Sequence, residues 1–390
     1  MSNGLRLVWV GLSYPPTAGG AAQYAHMMAT TIDSARLCER LVFLVGKHAN
    51  EWIRKSLPNG ISEIRRVFTT RAARSKKDAL SYILFLVDNL KLLNVLRVVR
   101  QESADAVIVH GWYLLRPSVL WLLLPILKSR GIKLVADLRD TFLGEDGLRR
   151  LEIFDRIVCC GRNVEDLVQK RSSLAAKAFY VPVPLNGTWG ALTATAEDKI
   201  MRDNSLVPGR YIFSPTGVDD GKRFRLLFEA WLELDRRGAE LDLVIAGRPR
   251  DWRKEYDHVD SKARVVLVGN IGREELHSLY SQSAISVNVS KNESFGRVPL
   301  EALPLDIPMI LPSGVPEFDA LSSDLITKDD PISVAEQIQA VLKSGAKVKG
   351  YDLSIHDVRT VCAQTVSIIA GMFEKDEKPL TDGETTEAKI

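Results

Sequence analysis

The chain has 390 residues, with 52 Lys+Arg against 49 Asp+Glu for a formal net charge of +3. Its 46% hydrophobic and 26% charged residues exclude a disordered or collagen-like chain, and its length suits two domains of roughly 150–200 residues better than one core. The four cysteines, Cys38, Cys159, Cys160 and Cys362, have no C-x-x-C spacing, so neither a zinc site nor a disulfide framework is read from them; two adjacent core thiols in a reducing compartment are expected at Cys159–Cys160.

The opening residues read as a strand entering a loop rather than as a secretory signal. The longest apolar run, Pro117–Leu127, is shorter than the roughly 20 residues that span a bilayer. A soluble or peripheral protein in the cytoplasm is expected.

In chain order, strand-length apolar runs fall at Leu7–Val10, Leu41–Val45, Ala106–Val109, Lys133–Ala136, Arg156–Cys160 and Phe179–Val183, with helical stretches such as Ala21–Ile32, Lys77–Arg100 and Arg162–Val168 between them. A polar connector follows near Gly187–Pro208. A second series then runs Tyr211–Ser214, Leu241–Ala246, Val265–Val268, Ser286–Val289 and Met309–Leu311, alternating with helices at Phe224–Arg237, Arg273–Gln282 and Pro299–Leu305. The alternation predicts α/β architecture with two doubly wound parallel sheets and a cleft between the carboxyl ends of their strands. The expected domains are 1–190 and 205–355, with a C-terminal helix near 356–374 packing back on the first and a disordered polar tail at 375–390.

Charge divides with the domains. Residues 1–186 carry 27 basic and 16 acidic residues, net +11, and residues 187–390 carry 25 and 33, net −8. Arg65, Arg66, Arg71, Arg74, Lys76 and Lys77 cluster ahead of the apolar stretch Ala79–Val87. Basic residues beside apolar ones suit an anionic membrane surface; the alternative is a solvated loop leading into a core helix. No aromatic-interleaved basic stripe or helix-turn-helix pattern accompanies the charge, so nucleic acid is not an expected partner.

Two loops stand out as sites. In Ser13–Gln23, Gly19 and Gly20 follow the first strand and open a helix, where backbone N–H groups and the helix dipole attract an anion; a plain strand–helix turn is the alternative. No G-x-G-x-x-G occurs there, and the second strand ends without the acidic residue that grips a ribose in NAD proteins. In the second loop, Asn292–Glu301, Pro299 suits the first helical position. Ser294, Phe295, Gly296 and Arg297 would offer backbone amides to a diphosphate, with Glu293 before the turn and Glu301 in the first helical turn. Carboxylates on both sides of a phosphate cradle suit a nucleotide sugar.

Glu293-x7-Glu301, within Glu-Ser-Phe-Gly-Arg-Val-Pro-Leu-Glu-Ala-Leu, resembles the paired-glutamate signature of the retaining glycosyltransferases of family four, which have the GT-B fold. The likeness extends to Pro15…Gly19-Gly20, to the strand ending in His110, and to Val265–Ile271 with Asn270, the segment beside the nucleotide base in that family. The resemblance implies that Glu293 orients sugar hydroxyls, Glu301 holds the ribose and residues 294–297 bind the diphosphate, with His110 near the reacting sugars.

Three departures qualify the match. In Thr216–Arg223 a Val, Val218, stands where the family usually has an Arg, so Lys222 after Gly217 is assigned to the diphosphate, with Arg223 as a second cation. In Asp137–Asp140, Arg139 replaces the His of a His-Asp pair; Asp140 is assigned to the sugar as a catalytic residue, and Arg139, with His110, is a candidate to bind acceptor or sugar. Asp306 stands where a Gly is common. No Asp-x-Asp occurs in the chain, so Lys222 and backbone amides are expected to neutralise the leaving diphosphate without a metal or further cofactor.

The resemblance thus implies a retaining transfer from a nucleotide sugar to a glycan acceptor. The charge of the first domain adds the expectation of a lipid-linked acceptor at the inner face of a bacterial membrane, in polysaccharide or lipopolysaccharide assembly. A sugar-nucleotide epimerase of the same fold, an NAD-dependent dehydrogenase and a non-catalytic subunit of an assembly complex are the alternatives.

Overall fold

The computed structural model describes residues 4–11, 14–15, 20–46, 54–68, 91–111, 120–139, 144–185, 199–218, 220–247, 264–291 and 293–374. Within them the chain forms β1 (Arg6–Val10), α1 (Gly20–Ala35), β2 (Arg40–Gly46), β3 (Arg54–Ser56), β4 (Ser62–Phe68), α2 (Asn94–Gln101), β5 (Ala106–His110), α3 (Leu120–Ser129), β6 (Lys133–Leu138), α4 (Glu145–Leu151), β7 (Arg156–Cys159), α5 (Arg162–Gln169), α6 (Ser172–Ala175) and β8 (Ala178–Tyr180). The first sheet runs β3-β4-β2-β1-β5-β6-β7-β8 and is parallel except for the edge pair β3–β4. Strands such as Leu7–Val10 and Leu41–Val45 are fully buried, as expected for parallel strands covered on both faces.

The second unit contains α7 (Lys199–Asp203), β9 (Tyr211–Ser214), α8 (Phe224–Arg236), β10 (Asp242–Ala246), β11 (Val265–Gly269), α9 (Arg273–Ser281), β12 (Ile285–Val287), α10 (Arg297–Ala302), β13 (Met309–Ile310), α11 (Pro316–Asp319), α12 (Pro331–Ser344) and α13 (Val358–Ala370). Its sheet runs β11-β10-β9-β12-β13 with every pair parallel. The last helix, α13, packs against α1 of the first unit and sends Val361, Cys362, Val366 and Ile369 into the core that holds Trp9 and Met28. Where the chain leaves the first unit and returns to it, Leu185 N–H donates to His356 O at 2.8 Å and His356 Nδ1 pairs with Val183 O at 2.7 Å.

Strand order sets the position of the site. In each sheet the order reverses beside the first strand, between β1 and β5 and between β9 and β12. Loops leaving adjacent strands in opposite directions open a crevice at such a switch point. His110 ends β5, and Glu293 and Lys222 follow β12 and β9.

Several expectations need correction. The helix expected over Lys77–Arg100 is described only as a 3₁₀ turn at Lys91–Leu93 and α2, and residues 77–90 lie outside the described residues. The helix expected at Pro299–Leu305 starts two residues earlier, at Arg297, so Pro299 is third in it rather than first. It yields to a 3₁₀ turn at Leu303 because Pro304 has no N–H for the α-helical ladder. Asp306 closes that turn in the left-handed region at φ 50° and bonds Lys347 Nζ at 2.6 Å, which accounts for a small polar residue where Gly would serve.

Strand β4 carries Ser-Glu-Ile-Arg-Arg and gave no apolar signal, yet it pairs with β2. Its Glu63 has no exposed side-chain surface and is surrounded by Arg40, Arg54 and Arg65. Burial would raise its pKa, but the guanidinium partners outweigh this and hold it down to about 2. Arg65 is itself buried and paired with Glu63 and Glu102, so it is no part of an open basic surface. The rest of the basic cluster from Arg71 to Lys77, the Ala79–Val87 stretch and the tail 375–390 lie outside the described residues. No helix among the described residues is long and apolar enough to cross a membrane.

Candidate functional site

The loop after β9 is built to come close to its neighbour. Gly217 adopts φ 72° and donates its N–H to Ala246 O at 2.8 Å. Gly247, at φ 124°, has no room for a side chain, because a Cβ there would meet Gly217 Cα at 2.8 Å. Two glycines thus let the loops after β9 and β10 touch. Val218, at the position of the resemblance's Arg, is buried in the core under α8. The 3₁₀ turn Asp220–Lys222 follows, and Arg223 caps α8 in the left-handed region at φ 55°.

The structure separates the two cations assigned to this loop. Lys222 Nζ lies 2.5 Å from Glu293 Oε1, with the lysine side chain 39% exposed and the glutamate 15%. Arg223 turns instead to Asp329, donating to Oδ1 at 2.8 Å and to the backbone carbonyl at 3.3 Å.

From Glu293 the backbone turns tightly into α10. Phe295 is buried edge-on against Phe318 and His356, with ring centroids 6.4 and 5.2 Å away, so its ring anchors the loop and leaves the backbone to face the crevice. Gly296 holds φ 72°, and a Cβ there would come within 3.1 Å of Phe318 Cε2 and 3.3 Å of Pro312 Cγ. The N–H groups of Ser294, Phe295 and Gly296 have no acceptor among the described residues. Backbone amides without an acceptor among the described residues, beside a helix start, suit an anion.

Glu301 lies one turn into α10 and accepts Arg297 Nε at 2.9 Å. Burial raises its pKa, and Arg297 and Arg273 pull it back only in part. Arg273, at the start of α9, has its own pKa lowered by burial and by the Arg297 charge. Tyr280 ties α9 to α10 by donating its hydroxyl to Val298 O at 3.0 Å. Asn270 is exposed just past β11, beside Gly269, whose carbonyl accepts Gly247 N–H at 2.7 Å.

Across the crevice, His110 and Asp137 are register partners on β5 and β6 and bond through Nδ1 and Oδ2 at 2.6 Å. Asp137 Oδ1 accepts Arg139 Nε at 2.7 Å, and Arg139 also donates to the Tyr24 hydroxyl. Burial would raise the Asp137 pKa, but Arg139 and His110 outweigh it and hold the carboxyl below its usual range. Sequence reasoning passed over Asp137 and Tyr24 as site residues; Asp137 could have been found from its place opposite His110 in adjacent parallel strands. Gly19 and Asp140 lie outside the described residues, and Gly20 is the first residue of α1.

The two units meet beside Glu293. Gly161, after β7, has no space for a Cβ, which would lie 2.2 Å from Ser294 O. Asn163 Nδ2 donates to Glu293 O at 2.6 Å, and Arg162 N–H donates to Glu317 Oε1 at 2.7 Å. The loop carrying Glu293 is therefore held by both units, with the carboxyl ends of the two sheets facing each other. None of these contacts was legible in the sequence, since Gly161 and Asn163 belong to no motif.

Residues 211–344 match the family model for glycosyl transferases group 1. Among solved structures, a glycosyltransferase from Rickettsia africae aligns with a TM-score of 0.67 at 12% identity, covering 95% of this chain and 97% of that one. Sucrose-phosphate synthase from Thermosynechococcus elongatus gives 0.64 at 16%, covering 94% and 97%. Anabaena HepE in complex with UDP gives 0.63 at 11%, with the same shares. At such identities the likeness is one of fold, and the fold is GT-B: two doubly wound units facing across a cleft. No curated protein matches the chain in sequence.

Proposed function

We propose that this protein is a retaining glycosyltransferase that moves a sugar from a nucleotide-diphosphate sugar to a glycan acceptor, with no metal or other cofactor. The observation that carries the reading is the turn Glu293–Glu301: free backbone amides flanked by two carboxylates, each paired with a cation, Lys222 with Glu293 and Arg297 with Glu301. Neutral amides and a lysine suit a leaving diphosphate, and the carboxylates suit hydroxyls of sugar and ribose. The group 1 family match over this unit and the UDP complex of HepE support the same reading.

In the reaction the bond from the anomeric carbon to the diphosphate oxygen breaks, and one to the acceptor oxygen forms on the same face. The acceptor's proton passes to the departing phosphate oxygen, so the nucleoside diphosphate leaves without a dedicated protein base. Lys222 and the amides of residues 294–297 stabilise the charge that grows on the diphosphate. Glu293 orients the sugar, Glu301 the ribose, and His110 with Asp140 the reacting sugars, while Gly19–Gly20 bind the donor.

The acceptor we infer is a lipid-linked glycan at an anionic membrane, as in polysaccharide or lipopolysaccharide assembly. Support comes from the net +11 of residues 1–186 and from Leu122 and Ile126 of α3, which are 71% and 40% exposed next to the turn that bears exposed Leu93.

Incubation with a panel of radiolabelled nucleotide sugars and membrane extract tests the whole reading. Label transferred to a lipid-extractable glycan is expected. Interconversion of the sugar in the free nucleotide would point to an epimerase, and binding alone to a non-catalytic subunit.

A further inference from the structure

His110, Asp137, Arg139 and Tyr24 close on one another. His110 Nδ1 bonds Asp137 Oδ2 at 2.6 Å, and Asp137 Oδ1 accepts Arg139 Nε at 2.7 Å. The Arg139 guanidinium donates to the Tyr24 hydroxyl and lies 4.0 Å over the Tyr24 ring. That ring stacks on the His110 imidazole at 5.2 Å and 15°, which completes the circuit. Asp137 is 1% exposed and His110 7%. Among the described residues, His110 Nε2 has no partner.

The charges decide what this circuit does. A carboxylate buried this deeply requires a compensating cation. Arginine supplies one permanently, since it is not deprotonated in proteins. With Arg139 on one oxygen of Asp137, the carboxylate has its countercharge, and its other oxygen is left to accept from His110 Nδ1. Tyr24 fixes the plane of the ring from one side and the position of Arg139 from the other.

We propose that Asp137 is a positioning residue that fixes His110 as the neutral Nδ1–H form, with Arg139 as its permanent countercharge, so that Nε2 accepts a hydrogen bond from a hydroxyl of the bound sugar. The part of this inference that concerns transfer rests on the proposed glycosyltransferase activity; the protonation of the ring does not. Among the described residues, the titratable groups against the ring are Asp137 and Tyr24, with Arg139 on both of them, Cys160 beyond Arg139 and Cys362 beyond Tyr24. Arg139 thus occupies the place of the resemblance's His without taking over its role, serving His110 through Asp137.

The chain has six histidines, so ¹⁵N-histidine NMR of the full protein, assigned with His110→Gln, reads the tautomer directly. In the wild type at neutral pH, Nδ1 of His110 is expected at the protonated position and Nε2 at the unprotonated one. In Arg139→Gln the carboxylate loses its countercharge, and both nitrogens are expected to become protonated. Asp137→Asn is expected to give mixed tautomers and to lower kcat roughly 10–100-fold, by analogy with loss of the outer partner of a metal-bound histidine, with less change in the donor KM. Should Asp137→Asn not fold, Arg139→Gln and Arg139→Lys carry the test, the lysine restoring the neutral ring. A wild-type His110 protonated on Nε2, or an Arg139→Gln spectrum identical to wild type, would overturn the proposal. Correct spectra with no sugar transfer by the wild type would leave the positioning intact and refute the glycosyltransferase reading instead.

Discussion

Lys222 Nζ and Glu293 Oε1 stand 2.5 Å apart although 71 residues separate them in the chain. One follows β9 and the other β12, the two strands between which the second sheet reverses its order. The switch point thus brings a cation and a carboxylate together, the pair that the proposed transfer assigns to the phosphate and the sugar. Lys222→Ala is expected to cut the transfer rate by about 10²-fold or more, as for loss of a preorganised donor to developing negative charge. Arg223→Ala, which breaks a surface pair with Asp329, should cost far less. Steady-state rates decide it, and an Arg223→Ala defect exceeding that of Lys222→Ala would move the phosphate cation by one residue. EDTA should leave activity nearly unchanged.

Glu301 and Glu293 should separate kinetically. Glu301→Ala is expected to weaken donor binding by on the order of 1.5–3 kcal/mol, the value of a charge-assisted hydrogen bond, whereas Glu293→Ala should mainly lower kcat. Calorimetry with the donor measures the first. The Glu301 pKa is raised above its ordinary value, chiefly by burial, so its carboxylate begins to protonate at a pH above the usual 4.5. Donor affinity should therefore begin to fall at a higher pH than an ordinary carboxylate would give, and Glu301→Gln should flatten that dependence.

Gly161 lies tightly against Ser294 of the second unit. Ala there would place a Cβ 2.2 Å from Ser294 O, a contact that only separation can relieve. Gly161→Ala should lower kcat strongly and expand the protein in small-angle scattering, while Asn163→Ala, which removes one hydrogen bond to Glu293 O, should have a smaller effect of the same kind. Wild-type turnover in Gly161→Ala would show that closure at this point is not needed.

His356 joins the returning chain to the first unit, and its pKa is lowered, chiefly by burial. The folded state therefore favours the neutral ring and the unfolded chain takes up a proton first, near its ordinary pKa of about 6.5. Its contribution to stability is complete above that pH and is lost as pH falls toward the folded pKa. The Tm of the wild type should thus drop between pH 7.5 and 5.5 by more than that of His356→Asn.

Membrane association is tested with vesicles. The protein should sediment with anionic but not neutral liposomes, and binding should be lost at high salt and in an Arg71/Arg74/Lys76/Lys77→Ser variant, since screening removes such attraction beyond about 10 Å at 0.1 M salt. Equal partitioning into both vesicle types, or into neither, would remove the basis for a lipid-linked acceptor.

The sequence by itself determined the alternation of strands and helices, because buried parallel strands such as Leu41–Val45 must be apolar throughout and their local pattern is visible without neighbours. It also marked Glu293 and Glu301, which stand within a few residues of a glycine and a helix start, and, through the family resemblance of the loop after Gly217, Lys222. Strand β4 escaped, because Glu63 is tolerable in the core through Arg65 of its own strand together with Arg40 and Arg54, which arrive from other strands. Asp137 and Tyr24 escaped for the same reason: one acquires its meaning from a register partner on β5, the other from a ring stacked across α1 and the sheet. Gly161 is the plainest case. Its lack of a side chain matters only because Ser294, 133 positions away in the chain, comes to lie against it, and contacts between distant residues leave no periodic trace in the sequence.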